Sequence, residues 1–179
     1  MPPAYRAPVT TLVLGGTRSG KSRHAEDLLP ADTPVRYVAT ARRIEGDAEW
    51  DARLDAHRAR RSSAWTTIES SEIAELIRGG GTPLVVDDLA TWLTGVLDDT
   101  GAWSRPCPRV GERVADLVDA VAAAPGRVVL VSAEVGLGVV PATRSGRLFR
   151  DELGALNAAL AAVCDEVVLL VAGLPLRLR

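Results

Sequence analysis

Lysine is almost missing from this 179-residue chain: of 21 basic residues all but one are arginine, and Lys21 stands alone. A chain that otherwise uses Arg has kept lysine's compact ammonium at one place, so that place is where charge chemistry is sought first. Cysteine is scarce as well. Cys107 and Cys164 lie far apart, outside any CxxC or Cys/His cluster, and so give no sign of a disulfide framework or a zinc site; both read as reduced thiols. Asparagine occurs once, as Asn157. No apolar run approaches the ~18 residues of a transmembrane helix; the longest late run, Val167 to Leu176, has ten and includes Gly173 and Pro175. An excess of positive charge is also lacking, with 23 acidic residues giving a net charge of -2. That excludes the broad basic footprint of a nucleic-acid or anionic-membrane binder. Residues 1–8 have no apolar core of the kind a secretory signal needs and read as a flexible lead-in, which points to a soluble protein of the cytoplasm.

What is present is enough apolar residue, 47% against 25% charged, for one domain spanning residues 1–179 with a sizeable core. Short β-branched runs recur at Thr11 to Leu14, Val35 to Ala39, Leu84 to Val86, Arg127 to Val131 and Val167 to Val171, each the length of a buried strand. Helical stretches separate most of them. Phe149, Leu153, Leu156, Leu160 and Val163 fall on one helix face, as do Val110, Val114, Leu117 and Val121; both stripes read as core. Pro106 and Pro108 around Cys107 predict a loop before the second of these helices. Leu174 to Leu178 predicts a short edge strand. The alternation implies a mostly parallel, doubly wound α/β sheet with helices on both faces. In such sheets ligands bind beyond the carboxyl ends of the strands.

Directly after the first strand runs Gly15-Gly16-Thr17-Arg18-Ser19-Gly20-Lys21-Ser22, which matches GxxxxGK[ST] in the strand-to-helix context of a P-loop. Glycines let backbone N–H groups turn in around phosphate oxygens, Lys21 neutralises the terminal phosphates, and the Ser22 hydroxyl can ligate Mg²⁺. The bland alternative is a glycine turn; the full pattern, its context and the single lysine favour the phosphate loop. Val85-Val86-Asp87-Asp88 ends another strand with carboxylates. An aspartate there can support the metal, or it can cap the helix that starts at Leu89. The two roles can also be divided, with Asp87 facing Mg²⁺ and Asp88 capping. A Ras-like GTPase is argued against because its guanine-reading NKxD motif needs Asn, and the chain's only Asn, Asn157, stands in no such motif.

Between Arg42 and Arg61 eleven of twenty residues are charged, which describes a solvated helix or loop. Its exceptional member is His57, with Arg53, Arg60 and Arg61 at helical neighbour spacing. Cations there favour the neutral imidazole that can attack phosphorus and can also hold phosphate oxygens. The competing reading is a surface histidine in a charge run. His24 falls on the helix after the P-loop and reads as structural. Glu134, after the fourth strand in the turn Glu134 to Pro141, is open to two readings: a turn residue, or a polar contact or general base.

Taken together, these residues resemble the bifunctional adenosylcobinamide kinase/adenosylcobinamide-phosphate guanylyltransferases of cobalamin biosynthesis. The resemblance is carried by GGTRSGKSRHAE at Gly15 to Glu26, YVATA at Tyr37 to Ala41, RLDAHRARR at Arg53 to Arg61 and WTTIE at Trp65 to Glu69. It continues through EVGLGVVP at Glu134 to Pro141, RLFRDELGALN at Arg147 to Asn157 and DEVVLLVAGLPLRL at Asp165 to Leu178. It implies a RecA-like P-loop fold, a homotrimer, and two reactions at one nucleotide site. In the first, ATP or GTP phosphorylates the aminopropanol hydroxyl of adenosylcobinamide. In the second, a histidine takes GMP from GTP with release of pyrophosphate and passes it to adenosylcobinamide phosphate, giving adenosylcobinamide-GDP.

By motif position the guanylylated histidine is His57. The resemblance places nucleotide contacts on Gly15, Gly16, Thr17, Arg18, Ser19, Gly20, Lys21 and Ser22, on Ala39, Thr40 and Ala41, on Arg58, Ala59, Arg60 and Arg61, and on Glu69 and Asp87. Lys21 acts on the phosphates and Ser22 and Asp87 on Mg²⁺. The Glu69 carboxylate suits guanine, whose N1–H and N2–H₂ it can accept together. The chain departs from the family pattern in three places. Ala133 stands where members often have Asn, Ala56 where they have a second histidine, and the stretch between Ala41 and His57 is longer. Two other classes compete: a P-loop small-molecule kinase, which needs no nucleophilic histidine, and a nucleotide-binding module without turnover.

Overall fold

A computed structural model describes residues 9–41 and 62–179. Its elements are β1 (Thr10–Gly15), α1 (Lys21–Asp27), β2 (Val35–Ala39), β3 (Trp65–Glu69), α2 (Ile73–Arg78), β4 (Leu84–Asp87), α3 (Leu89–Thr100), α4 (Pro108–Ala122), β5 (Val128–Ala133), α5 (Arg144–Val163), β6 (Glu166–Val171) and β7 (Leu174–Arg177). The seven strands form one sheet in the order β3-β2-β4-β5-β1-β6-β7. Every pair is parallel except the closing β6–β7 hairpin. This is the mostly parallel α/β sheet that the strand–helix alternation implies, with β5 lying between the P-loop strand β1 and the aspartate strand β4.

Parallel strands in mid-sheet are covered on both faces and so read as unbroken apolar runs. All six residues of β1 and the first three of β4 are buried. One face packs Leu12, Val38, Val86 and Leu130 against α2, α3, α4 and α5. The other packs Val13, Tyr37, Val85 and Val129 against Ala25 of α1. On α5, Leu153, Leu156 and Leu160 are buried with Phe149 and Val163 beside them, the stripe read from the sequence. On α4, Val110, Leu117 and Val121 are buried and Val114 packs against them.

Two elements differ from the sequence reading. Pro108 is the first residue of α4 and not part of the preceding loop; the first helical turn has no intrahelical partner for its N–H, so proline fits there. Strand β3 was absent from the apolar runs because it is an edge strand with no fully buried residue. The expected edge strand is β7, exposed along its whole length and joined to β6 by Ala172-Gly173, both with positive φ, the conformation of a two-residue hairpin turn.

Neither cysteine is paired. Burial pushes the Cys164 thiol up to about 11, so it packs as an apolar residue and is not a reactive thiolate. Among the described residues no helix is long and apolar enough to cross a membrane, and no group of three His, Cys, Asp or Glu side chains is placed to hold a metal by itself.

Candidate active site

Sheet register gathers the sequence-assigned residues along one edge. Glu69 pairs with Ala39, Ala39 with Asp87, and Gly15 with Ala133, so Gly15, Ala39, Glu69 and Asp87 all stand at carboxyl ends of strands. That is the edge where an open α/β sheet binds ligands.

The phosphate loop is shaped by close packing at its root. A Cβ on Gly15 would lie 2.3 Å from Ser19 Oγ and 3.2 Å from Leu170 Cβ, so only glycine lets the loop fold back on the strand. Arg18 and Gly20 both take the left-handed conformation, at φ 57° and 89°. Alternation of this kind turns successive N–H groups toward one concavity that holds anions. Ser19 N–H donates to Gly16 O at 3.3 Å, His24 N–H donates to Gly20 O at 2.9 Å, and Lys21 Nζ lies 3.5 Å from Gly16 O. The single lysine of the chain therefore arches over the loop it closes.

Across from the loop, the two aspartates at the end of β4 have separate tasks. Asp88 Oδ1 accepts the Thr91 N–H at 2.7 Å and N-caps α3. Asp87 turns to the loop: Ser22 Oγ donates to its Oδ1 at 3.1 Å, and the Tyr37 hydroxyl donates to its Oδ2. The Thr40 hydroxyl donates to Asp88 O at 2.7 Å and accepts the Asp88 N–H at 3.1 Å. Thr40 thus binds the end of β2 to the β4–α3 junction, fixing the spacing between two strands that border the site.

The donor set fits Mg²⁺ with a nucleotide. A hydroxyl and a carboxylate oxygen meet beside the phosphate loop, which is the hard-oxygen chemistry that Mg²⁺ takes when phosphate oxygens and waters complete its shell. The buried Ser19 Oγ, with no hydrogen-bond partner among the described residues, adds a polar atom beneath the loop.

Glu134 begins the turn after β5. Its N–H donates to Gly15 O at 3.1 Å and its Oε1 accepts the Gly136 N–H at 2.7 Å, so the side chain serves the turn while its backbone ties β5 to the phosphate loop. Behind it, Asn157 accepts from Ser132 Oγ at 2.6 Å and donates Nδ2–H to Ala133 O at 3.0 Å. Ala133 contributes its carbonyl to this bond. Ser132 is wholly buried and Asn157 is 5% exposed. Asn157→Ala therefore leaves a buried hydroxyl without its acceptor, and should lower unfolding free energy in urea titrations by about 1–3 kcal/mol.

His24 lies on α1, and its backbone N–H bonds to Gly20 O of the loop. His57, Arg58, Ala59, Arg60 and Arg61 lie outside the described residues, as does Ala56. Sequence reasoning missed the Tyr37 hydroxyl. The signal was there: Tyr37 and Ala39 sit two apart on one strand, hence on one face, in the motif that also supplies Thr40.

The family model described as cobinamide kinase / cobinamide phosphate guanyltransferase matches residues 11–178. The bifunctional adenosylcobalamin biosynthesis protein CobP of Pseudomonas aeruginosa is 44% identical over 175 residues, covering 94% of this chain and 96% of that protein. The bifunctional adenosylcobalamin biosynthesis protein CobU of Escherichia coli is 37% identical over 180 residues, covering 94% of this chain and 98% of that protein. Among solved structures, the P4 protein from bacteriophage phi6 in complex with ADP superposes with a TM-score of 0.49 at 19% identity, over 94% of this chain and 54% of that one.

Proposed function

This chain belongs to the cobinamide kinase / cobinamide phosphate guanyltransferase family, and from that premise we propose that it carries both activities at one nucleotide site. In the kinase step the acceptor hydroxyl of adenosylcobinamide attacks the γ-phosphorus of ATP or GTP. The new P–O bond forms as the bond to the β-phosphate oxygen breaks, and the hydroxyl proton is lost. In the transfer step the neutral imidazole of His57 attacks the α-phosphorus of GTP, a P–N bond forms, and pyrophosphate leaves. A phosphate oxygen of adenosylcobinamide phosphate then attacks that phosphorus, the P–N bond breaks, and His57 is regenerated as adenosylcobinamide-GDP departs.

Within this scheme the loop N–H groups of Gly15 to Ser22 and the Lys21 ammonium hold phosphate oxygens, and Ala39, Thr40 and Ala41 border the nucleotide. Arg58, Ala59, Arg60 and Arg61 follow the nucleophile and meet phosphates, and Glu69 reads guanine. Ser22 and Asp87 would hold Mg²⁺, which supplies neutralisation of the charge that develops between the phosphates. The observation that carries the reading is the meeting of Ser22 with Asp87 beside the single lysine, in a chain matched along almost its whole length by the family.

We read the working form as a homotrimer in the cytoplasm. Support for assembly comes from the exposed apolar residues Leu174 and Leu176 on β7, Leu178 just beyond it, and Leu137, Val139 and Val140 in the turn after β5, since large exposed apolar side chains are what an interaction site presents.

The test is incubation with Mg²⁺ and GTP labelled at the α-phosphate, followed by acid and base treatment and peptide mapping. An acid-labile, base-stable GMP adduct on His57 is the expected result. Absence of the adduct from protein that binds GTP would leave a monofunctional kinase.

A further inference from the structure

Tyr37 occupies the middle of β2 and is 1% exposed. Its ring packs with Val13, Val85 and Ala25 in the core beneath α1, and its centroid lies 6.3 Å from that of Trp65. A phenylalanine would satisfy that apolar packing. A buried tyrosine needs a partner for its hydroxyl, and register supplies one. Tyr37 pairs with Val85 and Ala39 with Asp87, so Asp87 is the diagonal neighbour two positions further along the adjacent strand, on the same face. Such a neighbour is within reach of an aromatic side chain. Ala39, directly opposite Asp87, presents only a methyl group. The hydroxyl therefore arrives at Asp87 Oδ2 while Ser22 Oγ meets Oδ1.

A carboxylate that supports a metal is useful only if the correct oxygen faces it, and partners outside the metal's own ligands fix that orientation. We propose that Tyr37 is the positioning residue of this site: by holding Asp87 Oδ2 it presents Oδ1 to Ser22 and to the nucleotide-bound divalent cation. The inference rests on the reading that Ser22 and Asp87 hold that cation.

The test uses the full chain, Mn²⁺ as the probe, and a GTP analogue with a methylene bridge between its α- and β-phosphates, which cannot guanylylate the protein. Free Mn²⁺ is followed by electron paramagnetic resonance. Tyr37→Phe should weaken Mn²⁺ binding to the protein–analogue complex about tenfold or more. Analogue binding measured with a chelator should stay as in the parent, since a positioning role acts only through the cation. The activity deficit of the variant should narrow as Mg²⁺ is raised. In an Asp87→Asn background, Tyr37→Phe should add no further loss of Mn²⁺ affinity. Equal Mn²⁺ affinity in parent and Tyr37→Phe would overturn the proposal. So would an equal fall in cation-free analogue binding, which would assign Tyr37 to packing. If the parent itself binds no Mn²⁺ with the analogue, the cation reading of Ser22 and Asp87 fails and the proposal falls with it.

Discussion

His57→Ala should eliminate labelled GMP from the protein, lowering adduct formation at least about a thousandfold, as loss of a covalent nucleophile does in other enzymes. Phosphorylation of adenosylcobinamide should persist within about tenfold of the parent rate, because phosphoryl transfer to a hydroxyl is achieved by positioning and charge and calls for no nucleophilic side chain. The two half-reactions thus separate at one residue. Both can be followed in one preparation, the first as protein-bound label from the α-phosphate and the second as corrinoid-bound label from the γ-phosphate. An equal fall in both would mean that His57 organises the nucleotide site and is not a dedicated nucleophile. A retained adduct would move the nucleophile elsewhere; His24, the other histidine, lies on α1 beside the phosphate loop and is the position to map next.

Local signals in the sequence were legible because they obey local rules. The run Val35 to Ala39 matches β2 to the residue, since a buried parallel strand reads as a short, largely apolar run and Pro34 marks its start. The face of α5 was equally plain from its spacing. The phosphate loop declared itself by pattern, and the structure adds why Gly15 admits no side chain. What the sequence left open depended on partners distant along the chain. Which of two consecutive aspartates caps the helix depends on the Thr91 N–H of α3, which goes to Asp88, while Ser22 of α1 meets Asp87. Strand β3 has its aromatic and β-branched residues in Trp65, Thr66, Thr67 and Ile68, a composition that favours strands, yet its edge position leaves no buried run to notice. Tyr37 lies in a strand read as buried and is core; its spacing from Ala39 puts both on one face, and the register of β2 on β4 adds that Asp87 is the group its hydroxyl meets there.

Lys21→Ala should depress both half-reactions, by about 10²–10³ each, the usual cost of removing one preorganised group that stabilises transition-state charge. There is one phosphate loop, and its lysine stands over Gly16 within the turn that Gly15 and Gly20 shape, so γ-transfer and α-transfer both draw on the same ammonium if one site serves both. Lys21→Arg is the sharper variant, since this chain uses arginine at every other basic position. A guanidinium keeps the charge but brings a wide planar fork in place of a compact ammonium, and should restore less than a tenth of either rate if fit matters as well as charge. Initial rates of both reactions at saturating Mg²⁺, with thermal melting to confirm an intact fold, give the comparison. Full guanylylation by Lys21→Ala alongside a lost kinase rate would break the shared-site idea. Full activity of Lys21→Arg would show that the lone lysine is an accident of composition and that charge alone is what the loop requires.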